Sequence, residues 1–450
     1  MQKRYLIRTF GCQMNEHDSE RIGGLLMADG MTPTDRVEDA RVIVLNTCAI
    51  RENADNRLYG NLGHLKPLKE RDPELKIVVA GCLAQKDQGL IQRKAPWVDV
   101  VVGTHALPHL LDLLARAERE GPQMDVREYT ETFPSALPAA REDDFRAWVS
   151  IATGCDNACT FCIVPFVRGA QRSRAIGDVL AEIQGLASRG VVEVTLLGQN
   201  VNTYGRDVSV PGAPRQPLFA ALLRAVNDVD GLRRIRFTSP HPHDFTPDVI
   251  DAMASSEKVC EHIHFPLQSG SDRVLKAMQR SYRSARYLDW LERIRAAIPG
   301  IAVSTDIIVG FPGETDDDLA ATLDVVERAR FDSAFTFQYS PRPGTRAASM
   351  DDQVPKEVVQ ERFDRLVALQ SAITYEKNRA QVGETVEVLV EGGGKKGGST
   401  QARTRTNRIV HLAEPIAPGT FAHARVTGAA PHHLVGEIVP APRPAAALAG

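Results

Sequence analysis

The sequence predicts an α/β protein built of three units: an amino-terminal parallel α/β sheet domain, a central partial (β/α)6 barrel, and a small all-β barrel at the carboxyl end. Three observations carry this. Short β-branched runs alternate with helical stretches in two successive series, the rhythm lapses once over residues 121–143, and a long charged helix then gives way to strands broken by a Gly/Lys loop. At 450 residues the chain is too long for one ordinary core, which also favours two or three domains.

The first unit, residues 1–118, reads as strands YLIRT, VIVLNT, LKIVVAG and VDVVVG between helical stretches such as DSERIGGLLMADG and HALPHLLDLLARA. Residues 119–143 lose that periodicity and gain Pro, Ala and charge, as an interdomain linker does. The second unit, 144–371, carries six strand-like runs, AWVSIAT, VVEVTLLG, LRRIRFTS, EHIHFPL, IAVSTDIIVG and SAFTFQYS, most of them separated by amphipathic helices. Six such units form an open barrel rather than a closed eight-stranded one, with ligands expected at the carboxyl ends of the strands. The third unit, 374–440, is expected to be a barrel of OB-like size, and the Pro/Ala tail 441–450 to be disordered.

Composition narrows the function. The net charge of −3 means that any nucleic-acid contact must come from local basic patches. No apolar run reaches the length of a membrane span, and the amino terminus moves directly into a strand, so a soluble, cytoplasmic protein without a membrane partner is expected. Seven cysteines, an odd number, argue against a secreted disulfide framework.

Three of these cysteines, Cys155, Cys159 and Cys162, lie in GCDNACTFCIVPFVRG directly after a strand. A zinc site would be expected to recruit a fourth protein ligand, and the nearby sequence offers none at a suitable spacing. Three thiolates on a [4Fe–4S] cluster instead leave one iron open. Cys12, Cys48 and Cys82 each sit just beyond the carboxyl end of a strand in the first unit. In a parallel sheet such ends open on one edge, so a second three-thiolate cluster is expected there; the bland alternative is three unrelated buried thiols. Cys260 is expected to be a packed thiol, and the pair His432 and His433 a surface turn.

The C-x3-C-x2-C motif resembles that of the radical S-adenosylmethionine superfamily. TFGCQMNEHDSER, NTCAIRENA, AGCLAQ and the order of the three units resemble the methylthiotransferase family within it, MiaB type, over nearly the whole chain, with the third unit similar to a TRAM barrel. The resemblance implies two [4Fe–4S] clusters and S-adenosylmethionine as cofactors. It implies cofactor contacts at Phe161, before the third clustered cysteine; at Gly198, Gln199 and Asn200, ending the second barrel strand; and at Gln268, Ser269, Gly310 and Gly313 on later strand ends. It also implies methylthiolation of N6-isopentenyladenosine at tRNA position 37, with the tRNA anticodon stem-loop and an external electron donor as partners. A sulfur donor is required unless the auxiliary cluster is sacrificed, and a monomer is expected.

Two departures from the family pattern stand out: QRSYRSARY lacks a usual glycine, and the third unit carries an extra GGGKKGGST stretch. Lys395, Lys396, Arg403, Arg405 and Arg408, with no acidic residue between them, offer a phosphate-contacting RNA face or a solvated hairpin. Arg168, Arg172 and Arg174 either contact substrate or brace the cysteine loop. The rival readings keep the chemistry and change the substrate, to threonylcarbamoyl-adenosine in tRNA or a ribosomal-protein aspartate, or else drop catalysis for an RNA-binding protein with structural clusters.

Overall fold

The computed structural model describes residues 3–49, 52–128, 133, 137–141, 143–208, 216–394 and 399–441. The first unit is a six-stranded, all-parallel sheet made of β1 (Arg4–Phe10), β2 (Thr32–Pro33), β3 (Val42–Thr47), β4 (Lys76–Gly81), β5 (Val100–Val102) and β6 (Gln123–Asp125), in the order β2-β1-β3-β4-β5-β6. Its central strands are apolar on both faces because helices cover both. Ile43, Leu45, Ile77 and Val79 pack with Leu58, Leu62 and Leu65 of helix Glu52–Arg71. Their neighbours Val42, Val44 and Val78 point the other way, towards Ile22 and Leu26 of helix Gln13–Ala28 and Leu113 of helix Leu110–Glu120.

Strand β6 corrects the expected boundary at residue 118, since it pairs in parallel with β5 and so belongs to the sheet. Three residues, Gln-Met-Asp, show no apolar alternation, and the backbone ladder alone recruits them. Residues 137–141 of the connecting segment are also packed. The Ala140 amide donates to the Glu20 carbonyl at 2.8 Å. A Cβ on Gly24 would lie 2.2 Å from the Pro138 carbonyl oxygen, so only glycine admits the segment against that helix.

The central unit contains β7 (Arg146–Ser150), a short antiparallel pair β8 (Ala152–Thr153) and β9 (Arg172–Ser173), then β10 (Glu193–Leu197), β11 (Arg234–Phe237), β12 (His262–His264), β13 (Ala302–Val309) and β14 (Ser333–Gln338). β7, β10 and β11 form one parallel sheet and β12, β13 and β14 another, joined through a parallel bridge between Ile235 and Val259. This is the expected open six-stranded barrel. Val149, Val194, Leu196, Ile235, Ile263, Val303 and Ile307 face the surrounding helices in one apolar core. The alternate residues, including Arg146, Glu193, Arg234, Arg236, His264 and Asp306, therefore line the interior.

The third unit is a closed five-stranded barrel of β15 (Thr385–Gly393), β16 (Thr400–Thr404), β17 (Ile409–Leu412), β18 (Phe421–Ala430) and β19 (His433–Val439), filled by Val388, Val390, Val410, Leu412, Val426 and Leu434. It docks beneath the central barrel. The fully buried Arg234 at the start of β11 donates to the Arg403 carbonyl and the Glu387 carboxylate, both at 2.9 Å. Arg236 donates to the Thr404 carbonyl at 2.9 Å. The turn between β16 and β17 thus closes the amino-terminal end of the central barrel and leaves the carboxyl end as its mouth.

Candidate active site

At the mouth, Cys155, Cys159 and Cys162 occupy the loop between Gly154 and Gly169. Gly154 has φ +77°, and a Cβ there would lie 2.1 Å from the Ala170 carbonyl oxygen, so the loop leaves its strand only through glycine. Thr160 pins it from below, donating its amide to the Met278 carbonyl at 3.1 Å and its hydroxyl to the Ala277 carbonyl at 3.0 Å. Arg280 points Nη1 at the Cys159 Sγ, 3.5 Å away, while its Nε donates to the Tyr282 hydroxyl at 3.0 Å. Burial pushes the Cys155 thiol up and the Cys162 thiol up to about 12, with each neighbouring sulfur adding to the effect.

The second group forms where β1, β3 and β4 end side by side. Cys12 opens helix Gln13–Ala28, Cys48 follows β3 with its amide bonded to the Phe10 carbonyl at 2.8 Å, and Cys82 begins helix Cys82–Asp87. Asn15 and Asn46 tie the ends together: Asn46 Nδ2 donates to the Asn15 carbonyl at 2.8 Å, and Asn15 Nδ2 to the Thr47 carbonyl at 3.3 Å. The Cys12 thiol is lowered to about 6, first by a hydrogen bond from the Cys48 side chain and further by the Arg168 charge. Burial pushes the Cys82 thiol up, against the same guanidinium.

Arg168 joins the two groups. It ends the five-residue helix Val164–Arg168 that follows Cys162, and its Nη2 donates to Asp18 Oδ2 of the first unit at 2.7 Å, both side chains being buried. On the same helix Val167, with the preceding Ile163, enters the apolar layer that contains Cys82, Leu83 and Ala84, and Thr104 Oγ1 donates to the Val167 carbonyl at 2.6 Å. The loop of one triad is thereby seated in the core beside the other. Arg168 therefore braces rather than reaches outward. Arg174 likewise donates to Glu182 at 2.7 Å, and Arg172 lies 4.8 Å from the centre of the Phe133 ring.

Among the described residues, no three His, Cys, Asp or Glu side chains converge on one point as a mononuclear ion requires. Each triad instead offers three thiols as its donors among the described residues. That donor set fits a cluster held by one thiol per iron with one iron open. Beyond β10, Gln199 Oε1 and Asn200 Oδ1 are buried without a hydrogen-bond partner, while Asn200 Nδ2 is spent on Asp244 at 2.8 Å. Two orphan acceptors side by side fit a donor such as a ligand ammonium group.

The other expected contacts divide. Gly198 adjoins this pair, and a Cβ there would lie 3.2 Å from Val201. Phe161 packs half-buried against Val274, Met278 and Phe311. Gln268 adopts φ +69° and bonds through its backbone to Asp306 and Ile308. Ser269, expected at the cofactor, is fully buried and its hydroxyl meets Thr322 Oγ1 at 3.3 Å. The amides of Gly310 and Gly313 donate to Glu314 Oε1 at 2.9 Å and to the Asp352 carbonyl at 2.7 Å.

Lys395 and Lys396 lie outside the described residues. The arginines beyond them are each paired with a carboxylate. Arg403 pairs with Glu391 at 2.5 Å, Arg405 with Glu261 at 2.7 Å and Arg408 with Asp332 at 2.5 Å. The acidic partners come from other strands and from the central unit, which a local count of charges misses. Cys260 is a buried thiol beside Arg236, as expected, and His433 packs its ring 4.8 Å from that of His411. Arg280 and Tyr282 escaped the sequence reading although they lie in QRSYRSARY, the stretch that departs from the family pattern.

Residues 4–103 match the uncharacterized protein family UPF0004, 149–326 the radical SAM superfamily and 379–439 the TRAM domain. The chain is 58% identical over 446 residues to the tRNA-2-methylthio-N(6)-dimethylallyladenosine synthase of Nocardia farcinica, covering 97% of this chain and 89% of that relative. It is 57% identical over 445 residues to the enzyme of the same name from Mycolicibacterium smegmatis, covering 97% and 87%. Among solved structures, the radical S-adenosylmethionine methyltransferase TsrM from Kitasatospora setae shares the fold at a TM-score of 0.56 and 14% identity, over 77% of this chain and 75% of that one. The cobalamin-dependent enzyme OxsB does so at 0.51 and 12% identity, over 82% and 56%. With three domain matches in one order and near full-length identity above one half, the chain belongs to the radical SAM methylthiotransferases, in the tRNA-2-methylthio-N(6)-dimethylallyladenosine synthase family.

Proposed function

We propose that this protein attaches a methylthio group to carbon 2 of N6-isopentenyladenosine at position 37 of tRNA. The observation that carries the reading is the seating of two three-thiol sites against each other across one short helix, in a chain of this family. The carbon 2 C–H bond is not acidic enough for a general base to open at useful rates. Two [4Fe–4S] clusters and S-adenosylmethionine, when bound, supply the one-electron chemistry and the sulfur that the protein's side chains lack.

The chain's own residues hold and orient these groups. Cys155, Cys159 and Cys162 hold the barrel cluster, and Cys12, Cys48 and Cys82 the auxiliary one. Gln199 Oε1 and Asn200 Oδ1 accept hydrogen bonds from the methionyl ammonium, and Arg280 holds the Cys159 side of the loop in place. The nucleotide must leave its stack to enter the mouth, which an anticodon loop makes inexpensive. An external electron donor is required, with a sulfur donor for repeated turnover, and the enzyme works as a cytoplasmic monomer. No helix among the described residues is long and apolar enough to cross a membrane.

The test is mass analysis of tRNA and ribosomal proteins from a deletion strain. Loss of the methylthio mass from isopentenyl-adenosine alone supports the proposal. Loss from threonylcarbamoyl-adenosine or from a ribosomal-protein aspartate overturns it in favour of that substrate. Restoration by a chain with all six cluster cysteines changed to Ala would leave only a non-catalytic RNA-binding role.

A further inference from the structure

Arg168 stands out among the buried charges near the mouth. It is 4% exposed, ends the helix that starts two residues after Cys162, and pairs with Asp18, itself 1% exposed, in the other domain. A guanidinium this deeply buried is costly unless anions surround it, and a single carboxylate offsets only part of that cost. Its other neighbours are the amino-terminal thiols: Val167, beside it on the same helix, packs in the layer that contains Cys82, and the guanidinium draws both the Cys12 and the Cys82 thiol towards the thiolate. The neighbouring histidines add no second positive charge. Burial pushes both His17 and His105 towards the neutral form.

We propose that Arg168 is a positioning residue for the amino-terminal site, a fixed positive counter-charge that makes a [4Fe–4S] cluster held there easier to reduce and is delivered by the loop of the other triad. The proposal rests on the reading that Cys12, Cys48 and Cys82 hold such a cluster. Adding one electron to a thiolate-bound cluster increases its negative charge, and net charge and hydrogen bonding around the sulfurs set its potential. In a low-dielectric site a buried cation beside the thiols acts strongly on that step. Asp18 opposes it, so the pair fixes the potential between two extremes. Because the cation comes from the barrel loop, the amino-terminal site acquires its electrostatics only when the two domains are docked.

The experiment uses the full chain with Cys155, Cys159 and Cys162 changed to Ala, so that the amino-terminal cluster is the only one, in a dithionite titration followed by electron paramagnetic resonance. Arg168→Met is expected to shift the midpoint to a more negative potential, Arg168→Lys to stay close to the parent, and Asp18→Asn to shift it more positive. A brace without electrostatic effect would lower iron content equally in both Arg168 variants and leave the midpoint of the remaining cluster unmoved, which overturns the proposal. If Arg168→Met retains no iron, Asp18→Asn decides alone: a positive shift supports the counter-charge and an unmoved midpoint sinks it. A parent without iron would refute the second cluster itself and the proposal with it, whereas a parent cluster insensitive to both substitutions refutes only the role of Arg168.

Discussion

The two ends of the central barrel are built from the same residue types and do opposite things. At the floor every prominent charge has a partner: Arg234 with Glu387, Arg236 with Glu193, Arg405 with Glu261 and Arg408 with Asp332. At the mouth, polar atoms are buried and left without one, Gln199 Oε1 and Asn200 Oδ1 among them, on the same barrel as the clustered thiols. A network of paired charges fixes one domain on another even though Arg234 Nε is left over, whereas buried acceptors that meet no donor suit an incoming ligand. The basic run from Arg403 to Arg408 belongs to the first kind although its composition suggests the second.

The sharpest way to break this contrast is to empty the mouth. Replacing Cys155, Cys159 and Cys162 by Ala should abolish anaerobic S-adenosylmethionine cleavage. Replacing Cys12, Cys48 and Cys82 should remove about half the iron and all methylthio product yet keep that cleavage. Unchanged iron in the second variant would mean one cluster only. Next, Arg234→Met removes the buried donor shared by the Arg403 carbonyl and the Glu387 carboxylate, which keeps Arg233 as a partner, and should cost about 1–3 kcal/mol in urea unfolding while leaving S-adenosylmethionine affinity unaltered. A comparable loss of affinity would show that the floor is part of the site.

A smaller effect is expected from Asn200→Ala, which removes one orphan acceptor and should weaken S-adenosylmethionine binding by roughly tenfold, about 1–2 kcal/mol, in equilibrium dialysis of the reconstituted enzyme. Acid should act on the floor. Burial alone would raise the carboxyls of Glu391 and Glu261, but Arg403 and Arg405 hold both below the ordinary 4.5. Groups lowered in the folded state stabilise it fully above the unfolded value and lose that contribution as pH falls through the folded one. Docking of the third domain should therefore hold at pH 5 and loosen below about 4, seen as new proteolysis between the domains. Cys260→Ala, at the floor, should cost only about 1 kcal/mol and leave iron content unchanged.

Much of the fold was legible in the chain. Runs such as VIVLNT and KIVVAG are apolar on both faces because helices cover both sides of a parallel sheet, and six of them after Phe145 define the open barrel. Strand β6 was not legible, because Gln-Met-Asp carries no pattern and is recruited by the backbone edge of β5. Of the site, the clustered triad was readable from local spacing. The dispersed triad followed from a rule about strand ends, together with the family resemblance. Arg280 was invisible because its meaning depends on Cys159, over a hundred residues away in sequence.

By itself the sequence determined the three-unit order and the strand ends that present the six candidate thiols, since these depend on local periodicity and residue type. Only the tertiary structure decided what the charges do. Whether Arg168 reaches for substrate or for Asp18, and whether Arg403, Arg405 and Arg408 meet phosphate or carboxylate, turns on partners brought from distant segments, and electrostatic roles are set by distance and burial rather than by position along the chain.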